Sequence, residues 1–291
     1  MNRNIVIGII AVVVIALAGL LAFQELHRAP SNLASASSEP TLPTQSQISQ
    51  GIAGNWKIIS MGEINSSQLL SGMYPNALSL YQEYVELAGS NSTVISISIV
   101  AYSGQPNSTT SLPHAVVGHY LVEVNATGNV SPTIQESFLA LAKADLTGGN
   151  GTKLSVPSFM YPSTSSLPLV EFAVSNLTSQ QGNFTQYSAY YLGTTSTSGE
   201  SLGVDILHGP NSTALYNYLY STTLIPSNGS TKGSSLAVNG SLNGIKYFNL
   251  SVNGTFGQTF YYVGLKGEYV ILVQAQPSQN FQAFEYIVDR L

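Results

Sequence analysis

A chain without cysteine has to draw any chemistry from histidines, carboxylates and hydroxyls, and this one holds only four histidines and fourteen acidic residues. The missing thiols remove disulfides, thiolate zinc sites, iron–sulfur clusters and blue copper. His27 precedes the expected folded region and His208 ends an expected strand. His114 and His119 stand five apart on another, which directs them to opposite faces and disfavours chelation by both. Glu83 and Glu86, or Asp205 with Glu200, make a glycosidase pair only if the fold brings them together. Taken singly they read as surface carboxylates.

Asp145-Leu146-Thr147-Gly148 carries one residue more than the Asp-Thr-Gly signature of acid proteases and occurs once, whereas that chemistry needs two carboxyls sharing a proton. It reads more simply as a helix end capped by Gly148 or Gly149. There is no Gly-x-Ser-x-Gly elbow, phosphate loop or dinucleotide fingerprint. No catalytic, cofactor-binding or metal-ligating residue is assigned on this basis, no cofactor is expected, and the reading leans away from an enzyme. The 17 tyrosines are the remaining aromatic feature, among them Tyr81, Tyr84, Tyr190, Tyr191, Tyr216, Tyr218, Tyr220, Tyr261 and Tyr262. They suit either a sugar-stacking face or the filling of half-buried sheets.

One covalent chemistry is written repeatedly. Asn-x-Ser/Thr occurs at Asn65, Asn91, Asn107, Asn125, Asn129, Asn150, Asn176, Asn183, Asn211, Asn228, Asn239, Asn249 and Asn253. Chance placement in a chain this rich in Ser and Thr gives roughly four or five such sites, so N-glycosylation is expected. Only 8% of residues are charged and the formal charge is −5, with no Lys/Arg cluster, which argues against nucleic acid. A surface of neutral hydrogen-bonding groups is insensitive to acid, where carboxylates protonate and salt bridges fail. Dense sequons, few charges and no cysteine together resemble envelope proteins of thermoacidophilic archaea. The resemblance is compositional, spans the whole chain and implies a habitat rather than an activity.

The elements that position these residues begin with an apolar run, Ile5–Phe23, whose roughly 19 residues match a bilayer core of about 30 Å. No small-x-small cleavage site follows it closely, so residues 1–28 are expected to be an uncleaved transmembrane signal anchor. Glycosylation occurs outside the cytoplasm, which places the N-terminus inside and the C-terminal domain outside. Residues 29–51, rich in Ser, Pro, Thr and Gln, read as a flexible stalk. The domain is expected over 52–291, with room for a subdivision near 150–165.

Within it the pattern is α+β: antiparallel sheet with a few packed helices, and room for two related halves. Strands are expected at Ser92–Tyr102, Ala115–Val124, Leu169–Val174, Gln186–Leu192 and Leu202–Leu207, with a hairpin over Thr259–Val273. Helices are expected after Ser131-Pro132, at Ser212–Tyr220 and from Ser278 to the C-terminus. The stretches ending Gly104-Gln105-Pro106-Asn107-Ser108-Thr109 and Gly209-Pro210-Asn211-Ser212-Thr213 hint at an internal repeat.

These features favour a single-pass, membrane-anchored, N-glycosylated extracytoplasmic protein with a non-catalytic binding or structural role in the cell envelope. Its partners are then the membrane through residues 5–23, its own glycans and an envelope or membrane-complex protein. The alternatives are an accessory subunit of a respiratory or transport complex, and an acid-active hydrolase.

Overall fold

A computed structural model describes residues 39–65, 70–90, 93–107, 110–155, 157–160, 173–181, 183–192, 201–224, 238–254, 257–276 and 281–291. The protein is α+β, mostly β, with antiparallel strands and a few helices. Among the described residues no helix is long and apolar enough to cross a membrane; the apolar run 5–23 and residues 29–38 of the expected stalk lie outside them. The chain divides into two compact units, the first ending at Ser155 but also claiming Leu177–Ser179, the second holding the rest of the chain to Leu291.

The first unit is a sheet in the order β4-β5-β3-β2-β1, from β1 (Trp56–Ile64), β2 (Ala77–Leu87), β3 (Val94–Tyr102), β4 (His114–Val117) and β5 (Tyr120–Thr127). Period-2 alternation sorts its faces. Ile95, Ile97 and Ile99 of β3 point to one core with Tyr81, Val85, Val122 and Val124, while Val100, Leu80 and Leu121 form a smaller cluster with Leu70 on the other side. Two helices cover the larger core, α1 (Gln45–Gly51) and α2 (Pro132–Gly148). Ser131 caps α2, Pro132 opens it, and Gly149 closes it in the left-handed region at φ 67, its N–H donating to the Asp145 carbonyl. Trp56 packs edge-on against Phe138 of α2 at 5.3 Å.

Helix α1 and the Leu42–Thr152 pairing lie within the expected stalk, 29–51, so its described part is packed on the first unit rather than extended. Its Ser/Gln composition hides a Thr44–Gln47 capping box, in which the Gln47 side chain accepts from the Thr44 N–H at 2.7 Å. The Gln45 amide then completes the edge of β1, donating to the Trp56 carbonyl at 2.8 Å and accepting from the Ile58 N–H at 2.9 Å. Leu42 and Thr152 exchange backbone hydrogen bonds of 2.8 and 2.7 Å, and Leu42 and Ile48 are fully buried. A β-carbon on Gly151 would lie 2.4 Å from the Leu42 carbonyl oxygen. Gly151→Ala should force that two-residue ladder apart and cost about 1–3 kcal/mol, read as a fall in the denaturation midpoint of the first unit.

The second unit is a sheet in the order β6-β7-β8-β12-β11-β10-β9. Its strands are β6 (Ala173–Gln181), β7 (Phe184–Leu192), β8 (Ser201–His208), β9 (Val238–Leu242), β10 (Ile245–Gly254), β11 (Gly257–Lys266) and β12 (Tyr269–Gln276). Helix α3 (Ser212–Leu224) packs on one face through Leu215 and Tyr216, against Phe248, Val263 and Val270. Helix α4 (Phe281–Arg290) packs on the other through Ala283, Phe284, Ile287 and Val288, against Val204, Ile206, Tyr262, Ile271 and Val273. Two-residue turns set the register: Asn243 and Gly244 both take positive φ between β9 and β10, and Gly267 does so between β11 and β12.

Two expectations change. Ala115–Val124 is not one strand but the hairpin β4–β5, turned at Gly118-His119, where glycine takes φ 60. The two Pro-Asn stretches fill unlike places, one between β3 and β4, the other between β8 and α3, so they do not mark equivalent positions in the two units. Residues 169–172 of the expected strand Leu169–Val174, and Ser278 of the last helix, lie outside the described residues.

Candidate functional site

A carboxyl pair in the first unit stands out. Period 2 along β2 puts Glu83 between Tyr81 and Val85 on the helix-covered face, opposite Met61 of β1 and Ile97 of β3. Helical spacing places Asp145 on the same stripe of α2 as Phe138 and Ala142. Glu83 is 0% exposed and Asp145 2%. Neither oxygen of Glu83 has a hydrogen-bond partner, nor does Asp145 Oδ2. Asp145 Oδ1 accepts from Gln47 Nε2 of α1 at 2.5 Å, and the Asp145 carbonyl accepts from Thr41 Oγ1 at 3.1 Å.

Burial, and secondarily the field of Asp145, push the Glu83 carboxyl up to about 8. Burial also raises Asp145, against the opposing hydrogen bond from Gln47. The amide donor makes Asp145 the one to ionise first, and a charge there holds the proton on Glu83.

A second buried carboxyl occupies the other unit. Asp205 of β8 accepts from Ser188 Oγ at 2.5 Å and from Gln186 Nε2 at 3.0 Å, both on β7. Burial raises its pKa, with those two donors acting the other way. Glu123 of β5, also buried, accepts from the Tyr74 hydroxyl at 2.7 Å; burial first, and then this bond, drives that phenol upward.

The pairings considered from sequence fall out differently. Glu83 and Glu86 lie on opposite faces of β2, with Glu86 across from Lys57. Glu200 lies outside the described residues, so its relation to Asp205 is not part of the site. Asp145, read as a helix end, is that and also the partner of Glu83. His114 is exposed on β4, its Nδ1 2.9 Å from the Leu112 carbonyl; His119 sits in the turn with its ring 4.0 Å from Tyr120. His208 stacks on Tyr269 at 4.3 Å and lies 3.6 Å from Glu268. Among the described residues no three of His, Asp and Glu are gathered as a metal site.

Of the tyrosines singled out, Tyr81, Tyr191, Tyr216 and Tyr262 are buried, and Tyr84, Tyr190, Tyr218, Tyr220 and Tyr261 are half-buried. They fill sheet faces and helix seams, as in Tyr216 and Tyr220 against Phe248 at 5.5 and 5.3 Å.

The sequons distribute over both units. Asn107, Asn125, Asn129, Asn150, Asn183, Asn211 and Asn239 have exposed side chains. Asn65 and Asn249 are half-buried, each with an Oδ1 that is shielded and unpartnered. Asn91 and Asn228, and the side chains of Asn176 and Asn253, lie outside what is described. Comparisons with protein-family models, with curated proteins and with solved structures find no match for this chain.

Proposed function

We propose that this chain is a single-pass, membrane-anchored, N-glycosylated extracytoplasmic protein with a binding or structural, non-catalytic role in the cell envelope. The observation that supports it most is the exposure of seven sequon asparagines, spread over loops and strand ends of both units. On β5, exposed Asn125 lies across from Ser96 of β3, which in turn lies across from Tyr84 of β2, so polar groups surround that sequon on its sheet face. The carboxyls that an acid hydrolase would use weigh the other way: Glu83 and Asp145 are sealed beneath α1 and α2, where no substrate reaches them.

Site-resolved glycopeptide mass spectrometry of the native protein tests the reading. Glycans are expected at the seven exposed asparagines and not at Asn249, which is half-buried in mid-strand with its Oδ1 shielded. Seven unmodified asparagines would overturn the glycoprotein assignment.

A further inference from the structure

Glu83 and Asp145 raise a question that anchoring and glycosylation leave unanswered: why two carboxyls with unpartnered oxygens are buried near where residues 39–52 pack on the first unit. The groups packed around them supply little compensation. Met61 and Ile97 flank Glu83 across the strands, and Gln47 is the contribution of α1. Further along the same face come Tyr81 and Glu63, with Tyr120 and Glu39 within electrostatic reach of Tyr81. The cation on this side is Lys153, 3.9 Å from Glu39 on a partly exposed pair, while Glu136 and Lys143 point outward from α2.

The segment held over this pair depends on Asp145 twice, through Gln47 Nε2 and Thr41 Oγ1. It has no hydrophobic stripe of its own beyond Leu42, Ile48 and Ile52. A charge in the seam is therefore placed where it acts on docking rather than on the sheet itself.

We infer that Glu83 and Asp145 form a proton-binding site that latches residues 39–52 onto the first unit, closed when the pair is protonated and released when both carboxyls are ionised. One proton is enough to keep the latch shut, because Asp145 keeps its Gln47 donor as an anion while Glu83 remains neutral. Loss of the second proton leaves two buried, mutually repelling anions, and separation of α1 admits water to both. The inference is independent of the membrane anchor and of glycan occupancy, since it concerns only residues within the first unit.

Hydrogen exchange of the full chain in detergent, corrected for the intrinsic pH dependence of exchange, reads the latch directly. Between pH 4 and pH 9 the amides of Leu42, Ile48, Ile52 and Thr152 should lose about a hundredfold in protection, while those of β11 and β12 keep theirs. Glu83→Gln, neutral at every pH, should hold those four amides at their acid-state protection up to pH 9. Protection that is unchanged in the wild-type chain, or lost equally in Glu83→Gln, would overturn the latch. Should Glu83→Gln not fold, carboxyl-carbon NMR of the wild-type chain decides: Glu83 titrating above pH 6 supports the site, and titration in the ordinary carboxylate range removes it.

Discussion

Ending the chain at Gln276 is expected to abolish the cooperative fold of the second unit and leave an aggregating product. Four side chains of α4, Ala283, Phe284, Ile287 and Val288, are buried to within 1% exposure against the β7–β12 sheet. Large-to-small changes at single sites of this kind cost about 2–5 kcal/mol, and removal of the helix removes all of them at once. Such a sum reaches the whole stability of an ordinary domain, about 5–15 kcal/mol. Tyr262, Ile271 and Val273 would then form an uncovered apolar sheet face.

The helix is fitted closely. A β-carbon on Gly264 would come 2.7 Å from the Phe284 ring, so glycine at that point on β11 lets the ring settle on the backbone. Lys266 Nζ donates to the Val288 carbonyl at 2.8 Å, placing a cation at the helix C-terminus, and Asn243 Nδ2 reaches Asp289 at 2.7 Å. Phe284→Ala is the graded version, with an expected loss of about 3–5 kcal/mol in urea denaturation. A soluble truncate that still melts cooperatively in the second unit would show that α4 is dispensable.

The pH profile of stability should run opposite to ordinary acid denaturation. Glu39, Glu83, Asp145 and Asp205 are all shifted upward, with burial the leading cause in each. A carboxyl with a raised folded-state pKa contributes its full stability below the unfolded value of about 4 and loses it as pH rises through the folded value. For Glu83 that window runs from about 4.5 to about 8. Its width sets a loss on the order of 3–5 kcal/mol by the upper end. Glu39 is partly exposed and faces Lys153, so it adds a smaller part of the same sign.

Urea unfolding at pH 3.5, 5.5 and 8 is therefore expected to give its highest midpoint in acid, and Glu83→Gln should flatten the curve. Asp205→Asn should flatten it further through the second unit, by less, because Ser188 and Gln186 already donate to that carboxyl. A midpoint that climbs from pH 3.5 to 8 would contradict the assignment of buried neutral carboxyls.

Much of the fold was legible where local pattern and turn chemistry agreed. Ser131-Pro132 marked the start of α2 and Gly148-Gly149 its end, with Gly149 the cap in the structure, and the β11–β12 hairpin was marked by two apolar runs around Lys266-Gly267. The β4–β5 turn was present in writing as Gly118-His119, but the apolar residues on either side masked it as one continuous strand. Helix α1 was lost for a different reason. Its signal is a Thr-x-x-Gln capping box in a Ser/Gln-rich stretch, and its anchoring comes from Gln45 and Gln47 meeting β1 and α2, contacts that only the folded chain supplies.

The carboxyl pair was missed in the same manner. Glu83 falls between residues of mixed character on both faces of β2, and Asp145 sits beside a glycine-rich helix end that explains it locally. Each position taken alone reads as surface, and only the packing of α2 on the sheet brings the two within electrostatic reach. Sequon exposure was similarly beyond the motif, which is identical in kind at Asn125 and Asn249 although the first is exposed and the second half-buried with a shielded Oδ1.

The strap formed by residues 39–52 also bears on reach. Docked, its length is folded back against the first unit through α1 and the Leu42–Thr152 ladder. Paid out as extended chain, the same residues span up to about 45–50 Å, more than the thickness of a bilayer. In a tethered protein, where local concentration near a surface falls with the length of the leash, the protonation of a single buried glutamate would then set how far from its attachment point the folded body can work.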